Sequence, residues 1–398
     1  MFKKLGELQK KFTDKINNLQ FPRPETIDFP KWENKHSINF SRKGKANIIL
    51  AQQGNSIGSC ICLLKSGNIL VGTEYIDVKN LTIKSYLKIY SIPDLDIVQE
   101  FNFPYEKDIG LYTISTALQL KNGNIFVIRD KLYEFEGENI NEGPKRISNK
   151  IKEGNLNIKP IIFPDPIIPK KRITKEIVTY FCENMMEAVE GKLLFTSGQN
   201  HLVYYLDSLN LDPNEKILLK EEGNLDILFQ SELYSDNLYI CKNQRDVYVR
   251  CAELLVYDIK DFCNEIKEKK SPIFSIKVSN SENICGYCEY NKKYLLLDTI
   301  IKGIYVINME TKLKVAVCDV TKKIEPRIDK DNIYGKMAKL DDGQVVRTYY
   351  YPSVIDIREC KQNENMGNIQ ISKKFVSIGK FIATLNYNGY LLVLQLYD

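Results

Sequence analysis

Cys285-Gly-Tyr-Cys288 has the CxxC spacing of zinc and redox sites, and it is the first place in this 398-residue chain to look for chemistry. A structural zinc needs four ligands, and neither a second CxxC nor a nearby histidine accompanies the pair. If the segment is a strand, cysteines three apart also point to opposite faces. Cys60 and Cys62 share one strand face and read as small buried thiols between packed sheets. Nucleophilic catalysis asks for a base beside a Ser or Cys, and the two histidines, His36 and His201, sit in an extended lead-in and beside a turn. Gly54-Asn-Ser-Ile-Gly58 lacks the strand and GxxxxGK context of a phosphate loop, and Asp94-Leu-Asp96 lacks the spacing of a calcium loop. Asp and Glu are too numerous for the sequence to single out a catalytic pair. No catalytic, metal-binding or cofactor-binding residue is therefore assigned, no cofactor is expected, and the expected role is non-catalytic.

Two segments could carry binding instead. Pro169-Lys170-Lys171-Arg172 is the most pointed charge feature, within a basic, proline-containing insertion at 138–178. Between 142 and 176 nine Lys/Arg face four Asp/Glu, a surplus equal to the +5 of the whole chain. Lys170, Lys171 and Arg172 are candidates to contact a protein partner, the phosphates of RNA, or an anionic surface through residues 145–175. The absence of interleaved aromatics weakens the single-stranded nucleic-acid version. At the N-terminus, Leu5, Leu8, Phe12, Ile16 and Leu19 form one helical stripe with lysines around the rest. Leu5, Leu8, Phe12 and Leu19 are thus candidate partner contacts, either to another chain or to the protein's own surface. Phe21-Pro22-Arg23-Pro24 ends the helix, so residues 1–44 read as an amphipathic helix and an extended lead-in.

The elements that must hold these segments are strands. Hydrophobic residues at 43%, charged at 27%, with 24 Tyr and 17 Phe, describe a globular chain rich in pleat-forming side chains. From residue 45 one pattern recurs seven times: an apolar run, a tight polar or Gly turn, a second apolar run. The copies are 62–72, 118–128, 187–197, 232–242, 289–299, 338–348 and 376–386, their turns roughly 35 to 70 residues apart. A second pairing follows most of them, at 85–101, 202–219, 254–261 and 303–320. Each unit is then a four-stranded antiparallel sheet that must stack on its neighbours. The last copy stops at Asp398 without an outer strand, and 45–52 has no unit of its own, so that segment is assigned to the last sheet. In the second unit the outer strand is expected within 146–151 or 158–163, the rest of the insertion protruding.

The predicted fold is all-β: a seven-bladed β-propeller over 45–398, six or eight blades being the alternatives, with an N-terminal α-helix and an N-terminal strand closing the last blade. This arrangement resembles the WD40-like β-propeller superfamily, whose Trp-Asp ending is approached by Tyr257-Asp258 and Tyr397-Asp398. The resemblance implies an interaction scaffold or adaptor, a subunit of a multiprotein complex; the basic insertion gives RNA or ribonucleoprotein association as the alternative, and a channel-site enzyme is a third reading. With two histidines and one tryptophan the family's His–Asp–Trp hydrogen-bond set has no counterpart, so the blades are expected to be held by apolar packing alone. Ten cysteines and no secretory hydrophobic stretch at the start predict a reducing, cytoplasmic setting. No apolar run nears the roughly 18 residues that span a bilayer.

Overall fold

The computed structural model describes the chain in segments between Ile38 and Gln395; residues 1–37, 149–157, 161–176, 319–336, 396–398 and short stretches at most connections lie outside the described residues. All seven hairpins form. Sheet 1 comprises Ser56–Leu63, Ile69–Asp77, Thr82–Tyr90 and Ile97–Asn102; sheet 2 comprises Thr116–Gln119, Ile125–Ile128, Leu132–Phe135 and Arg146–Ile147. Sheets 3, 4, 5 and 6 begin at Asn184, Asn224, Ile284 and Met337, each four-stranded and antiparallel in chain order. Sheet 7 takes Phe375–Ile378, Phe381–Leu385 and Leu391–Gln395 from the C-terminus, then Asn47–Ala51 and Ile38–Asn39 from the N-terminal part of the chain. The assignment of 45–52 to the last sheet thus holds, through pairs such as Asn47 with Gln395.

Local chemistry explains why the hairpins form where they do. Gly67 and Gly123 sit at φ +86° and +94° in matching turns, where Leu64 and Leu120 accept the glycine N–H at 2.9 Å. Only glycine adopts that backbone without strain. The strands between alternate, one face packing on the preceding sheet and the other on the next. Leu70, Leu87 and Ile89 pack with Ile125, Val127, Tyr133 and Phe135 of sheet 2, and Cys60 lies in the same cluster with Cys62 beside it, as expected. Further clusters join sheet 3 to 4, 4 to 5 and 5 to 6. Ile69, Val71, Tyr90 and Leu95 of sheet 1 pack with Ala383, Leu385, Leu391 and Val393 of sheet 7. The first strand of every sheet lies against the first strand of the next, and that of sheet 7 lies against that of sheet 1. No single sheet closes on itself.

The first of the two candidates for the outer strand of sheet 2 is the one used, and two sequence expectations change. Arg146–Ile147 is the outer strand of sheet 2, whereas Ile158–Pro160 pairs with Ile177–Tyr180, which pairs in parallel with Leu111–Tyr112. Parts of the 138–178 insertion are therefore held in a small mixed sheet and do not protrude. The segment 254–261 is not a hairpin: its strand ends at Asp258, whose carboxylate accepts the Asp261 N–H at 2.8 Å and caps the short helix Ile259–Phe262. The outer strand of sheet 4 comes later, at Phe274–Ser279.

The outermost strands of sheets 1, 3, 4, 5 and 6 each carry one extra residue opposite the third strand: Val98, Leu218, Val278, Val315 and Asn363. A bulge there twists an open edge and resists strand addition. Among the described residues no helix is long and apolar enough to cross a membrane.

Candidate functional site

Seven residues after a turn residue, at Gly67, Gly123, Asp236 and Asn291, stand Glu74, Asp130, Asn243 and Asp298. All four are buried near the same end of the second strand or just beyond it. Polar groups survive burial only when paired, and three of these find partners in the adjoining sheet or its lead-in. Glu74 Oε1 accepts the backbone N–H of Ile114, ahead of sheet 2. Asn243 clamps both sides of the Ile284 peptide, its Oδ1 accepting from Ile284 N and its Nδ2 donating to Ile284 O, each at 2.8 Å. Asp298 accepts from Arg347 Nε of sheet 6 at 2.7 Å, and Arg347 also donates to Thr299 O at 2.9 Å. Asp130 accepts from Arg129 at 3.0 Å and from Tyr133 Oη at 3.0 Å, while Arg129 Nε reaches Ser85 Oγ of sheet 1 at 3.3 Å.

These contacts correct the expectation of apolar packing alone. The junctions without His–Asp–Trp sets use carboxylates, an amide and arginines instead. Replacing Asn243 by Ala should leave the buried Ile284 N–H and C=O without partners and cost about 2–4 kcal/mol, read by chemical denaturation. Asn243→Asp should cost at least as much at neutral pH, because it buries a charge and sets a carboxylate oxygen against Ile284 O, and its deficit should shrink on acidification.

At the opposite ends of the second strands the hairpin turns are tied in series. Lys65 N donates to Gln119 Oε1 at 2.7 Å and Lys65 Nζ to Lys121 O at 2.7 Å. Lys121 N donates to Glu187, which also accepts Gly191 N at 2.7 Å, and Lys121 Nζ caps Ala188 O at 2.8 Å. Gln119 and Glu187 thus do for sheets 2 and 3 one job, accepting the turn amide of the preceding sheet. The spacing of these acceptors from the hairpin turns was the available signal; it is visible only once the turns are aligned with one another.

Burial sets the electrostatics. It pushes the Asp298 carboxyl above its ordinary range, against the pull of Arg347, and one carboxylate oxygen, Oδ1, has no partner among the described residues. Burial likewise pushes the Tyr133 phenol up, with Asp130 adding to it, and raises the Cys263 thiol although Lys192, Lys270 and Lys121 oppose this. Neither is poised as a nucleophile.

Cys288 packs in the cluster between sheets 5 and 6, while Cys285 is the extra residue of a bulge, its thiol 3.5 Å from Asp298 O. The bulge replaces the simple opposite-face alternation expected for the pair. Among the described residues no group of three or more His, Cys, Asp or Glu could hold a metal ion. Leu5, Leu8, Phe12, Leu19, Lys170, Lys171, Arg172, His36 and His201 lie outside the described residues. Compared with family models and with curated proteins, the chain matches none.

Proposed function

We propose that the chain is a seven-bladed, WD40-like β-propeller acting as a non-catalytic interaction scaffold within a multiprotein complex. The observation that carries the architecture is the cyclic order of contacts, in which sheet 7 packs on sheet 1 as each other sheet packs on the next. Seven radially stacked sheets make a stiff ring that removes most open edges. The role follows from where the reactive residue types are used. Glu74, Arg129, Asn243, Asp298 and Arg347 hold sheets together, which leaves binding to the loops and to the segments outside the repeat.

The partner surface is assigned to Lys170, Lys171 and Arg172, between the paired strands Ile158–Pro160 and Ile177–Tyr180. The test is purification of the tagged full-length chain from its source cells, followed by mass measurement of the assembly. A stoichiometric heteromer that Lys170→Ala/Lys171→Ala/Arg172→Ala disrupts is the expected result. A chain that elutes as a monomer, or turns over a small molecule without a partner, overturns the reading. Salt-sensitive RNA binding lost in the same triple variant would replace it with the ribonucleoprotein alternative.

A further inference from the structure

Sheet 5 is gripped from both sides at one end of its two inner strands. From sheet 4, Asn243 holds the N–H and the C=O of Ile284, the first strand residue of sheet 5. From sheet 6, Arg347 holds the Asp298 carboxylate through Nε and the Thr299 carbonyl through Nη2. The two grips fall on facing residues. Ile284 pairs with Thr299 and Gly286 with Asp298, so Cys285 is the extra residue of a bulge set between them. The Cys285 thiol donates to Asp298 O at 3.5 Å, and Thr299 Oγ1 donates to Gly303 O at 2.8 Å, which ties the stretch to the third strand. Asn243, Ile284, Cys285, Asp298, Thr299 and Arg347 are all buried.

A bulge is where a ladder rearranges most easily, because its extra residue has no partner of its own. Moving the extra residue by one position would reverse the faces of the residues it passes. Ile284 would then leave the core between sheets 4 and 5, where it packs with Leu297 and Tyr305. Holding the N–H and the C=O of Ile284 together fixes the peptides on either side of it and so keeps the extra residue at Cys285. Thr299, opposite, then presents its carbonyl to Arg347. The junction of sheets 1 and 2 is built differently: Glu74 accepts the N–H of Ile114, which precedes the first strand of sheet 2 and lies outside its ladder.

We infer that Asn243, the bulge at Cys285 and the Asp298–Arg347 pair form one relay across sheet 5, so that sheets 4, 5 and 6 respond as a unit when either junction is disturbed. Asn243 is a positioning residue for an ion pair it does not touch. The bulge is the element with two arrangements, and both junctions bias it toward the same one. Such coupling is reciprocal: what Asn243 does for Arg347, Arg347 does for Ile284.

The test reads the Arg347 Nε–H resonance of the full-length protein by nitrogen-15 NMR. Asn243→Ala is expected to move that resonance beyond its linewidth. Glu74→Ala, which removes a buried acceptor at the sheet 1–2 junction, is expected to leave it in place, which separates the relay from a general loss of stability. In the other direction, Arg347→Lys keeps the cation but not the two-pronged grip, and should move the Ile284 N–H resonance. This second variant decides the matter if Asn243→Ala does not fold. An Arg347 signal unmoved in folded Asn243→Ala, one moved as far in Glu74→Ala, or an Ile284 signal unmoved in Arg347→Lys overturns the relay. Partner binding enters none of these readouts, so the relay and the scaffold reading fail separately.

Discussion

Arg347→Met is expected to lower stability by about 3–5 kcal/mol at pH 7, the cost of leaving a buried carboxylate without its cation. Asp298 is fully buried, and Arg347 is its charged partner. Methionine fills much the same space, so the loss is electrostatic rather than a cavity. The sign of the pH dependence follows from the proton. Burial already raises the folded carboxyl above the 3.8 of the unfolded chain, so the fold binds this proton more tightly and loses stability as pH rises from there toward the folded value. Removing Arg347 extends that window upward. The deficit of the variant should therefore shrink on acidification toward the folded value of Asp298, where both proteins take up this proton, and level off below it. Urea titrations of both proteins at several pH values measure this directly. A deficit independent of pH would show that Arg347 acts through packing. The double variant Asp298→Leu/Arg347→Met should recover most of the loss, because an apolar pair leaves no charge buried.

Deleting residues 1–52 should abolish cooperative folding, whereas deleting 1–37 should leave a folded protein. The longer deletion strips Asn47–Ala51 from Leu391–Gln395 and exposes the edge of a strand whose Leu391 and Val393 belong to the core between sheets 7 and 1. Losing the three residue pairs of that register, at roughly 1 kcal/mol per backbone hydrogen bond, already takes a sizeable share of the stability of an ordinary domain. The bare edge also invites strand addition between molecules. Light scattering and calorimetry of the two deletions give the readout, with aggregation and no sharp transition expected only for the longer one. A sharp transition in the longer deletion would mean that sheet 7 closes without its N-terminal strands.

Much of the sheet architecture was legible because hairpins are local. Lys65-Ser-Gly67-Asn68 and Lys121-Asn-Gly123-Asn124 announce their turns through glycines at positive φ, and the flanking runs alternate with period 2. The shortfall at the C-terminus and the surplus at 45–52 were both readable by counting strands. The insertion was harder. The pairing of Ile177–Tyr180 with Leu111–Tyr112 joins residues more than 60 apart and leaves no periodic trace. The short helix after Asp258 was missed because a strand and a one-turn helix share the run Leu254–Phe262.

By itself the sequence determined the number and order of the hairpins and the completion of the last sheet by an N-terminal segment, since turns and alternation are properties of a few consecutive residues. The choice of which carboxylates, amides and cations hold the sheets together was decided only in three dimensions. Glu74, Asn243 and Asp298 are ordinary polar residues until the next sheet arrives with Ile114 N, the Ile284 peptide or Arg347 to meet them. Partner choice for a buried polar group depends on what the fold brings within about 3 Å, and that distance is set by packing across sheets rather than by neighbours in the chain.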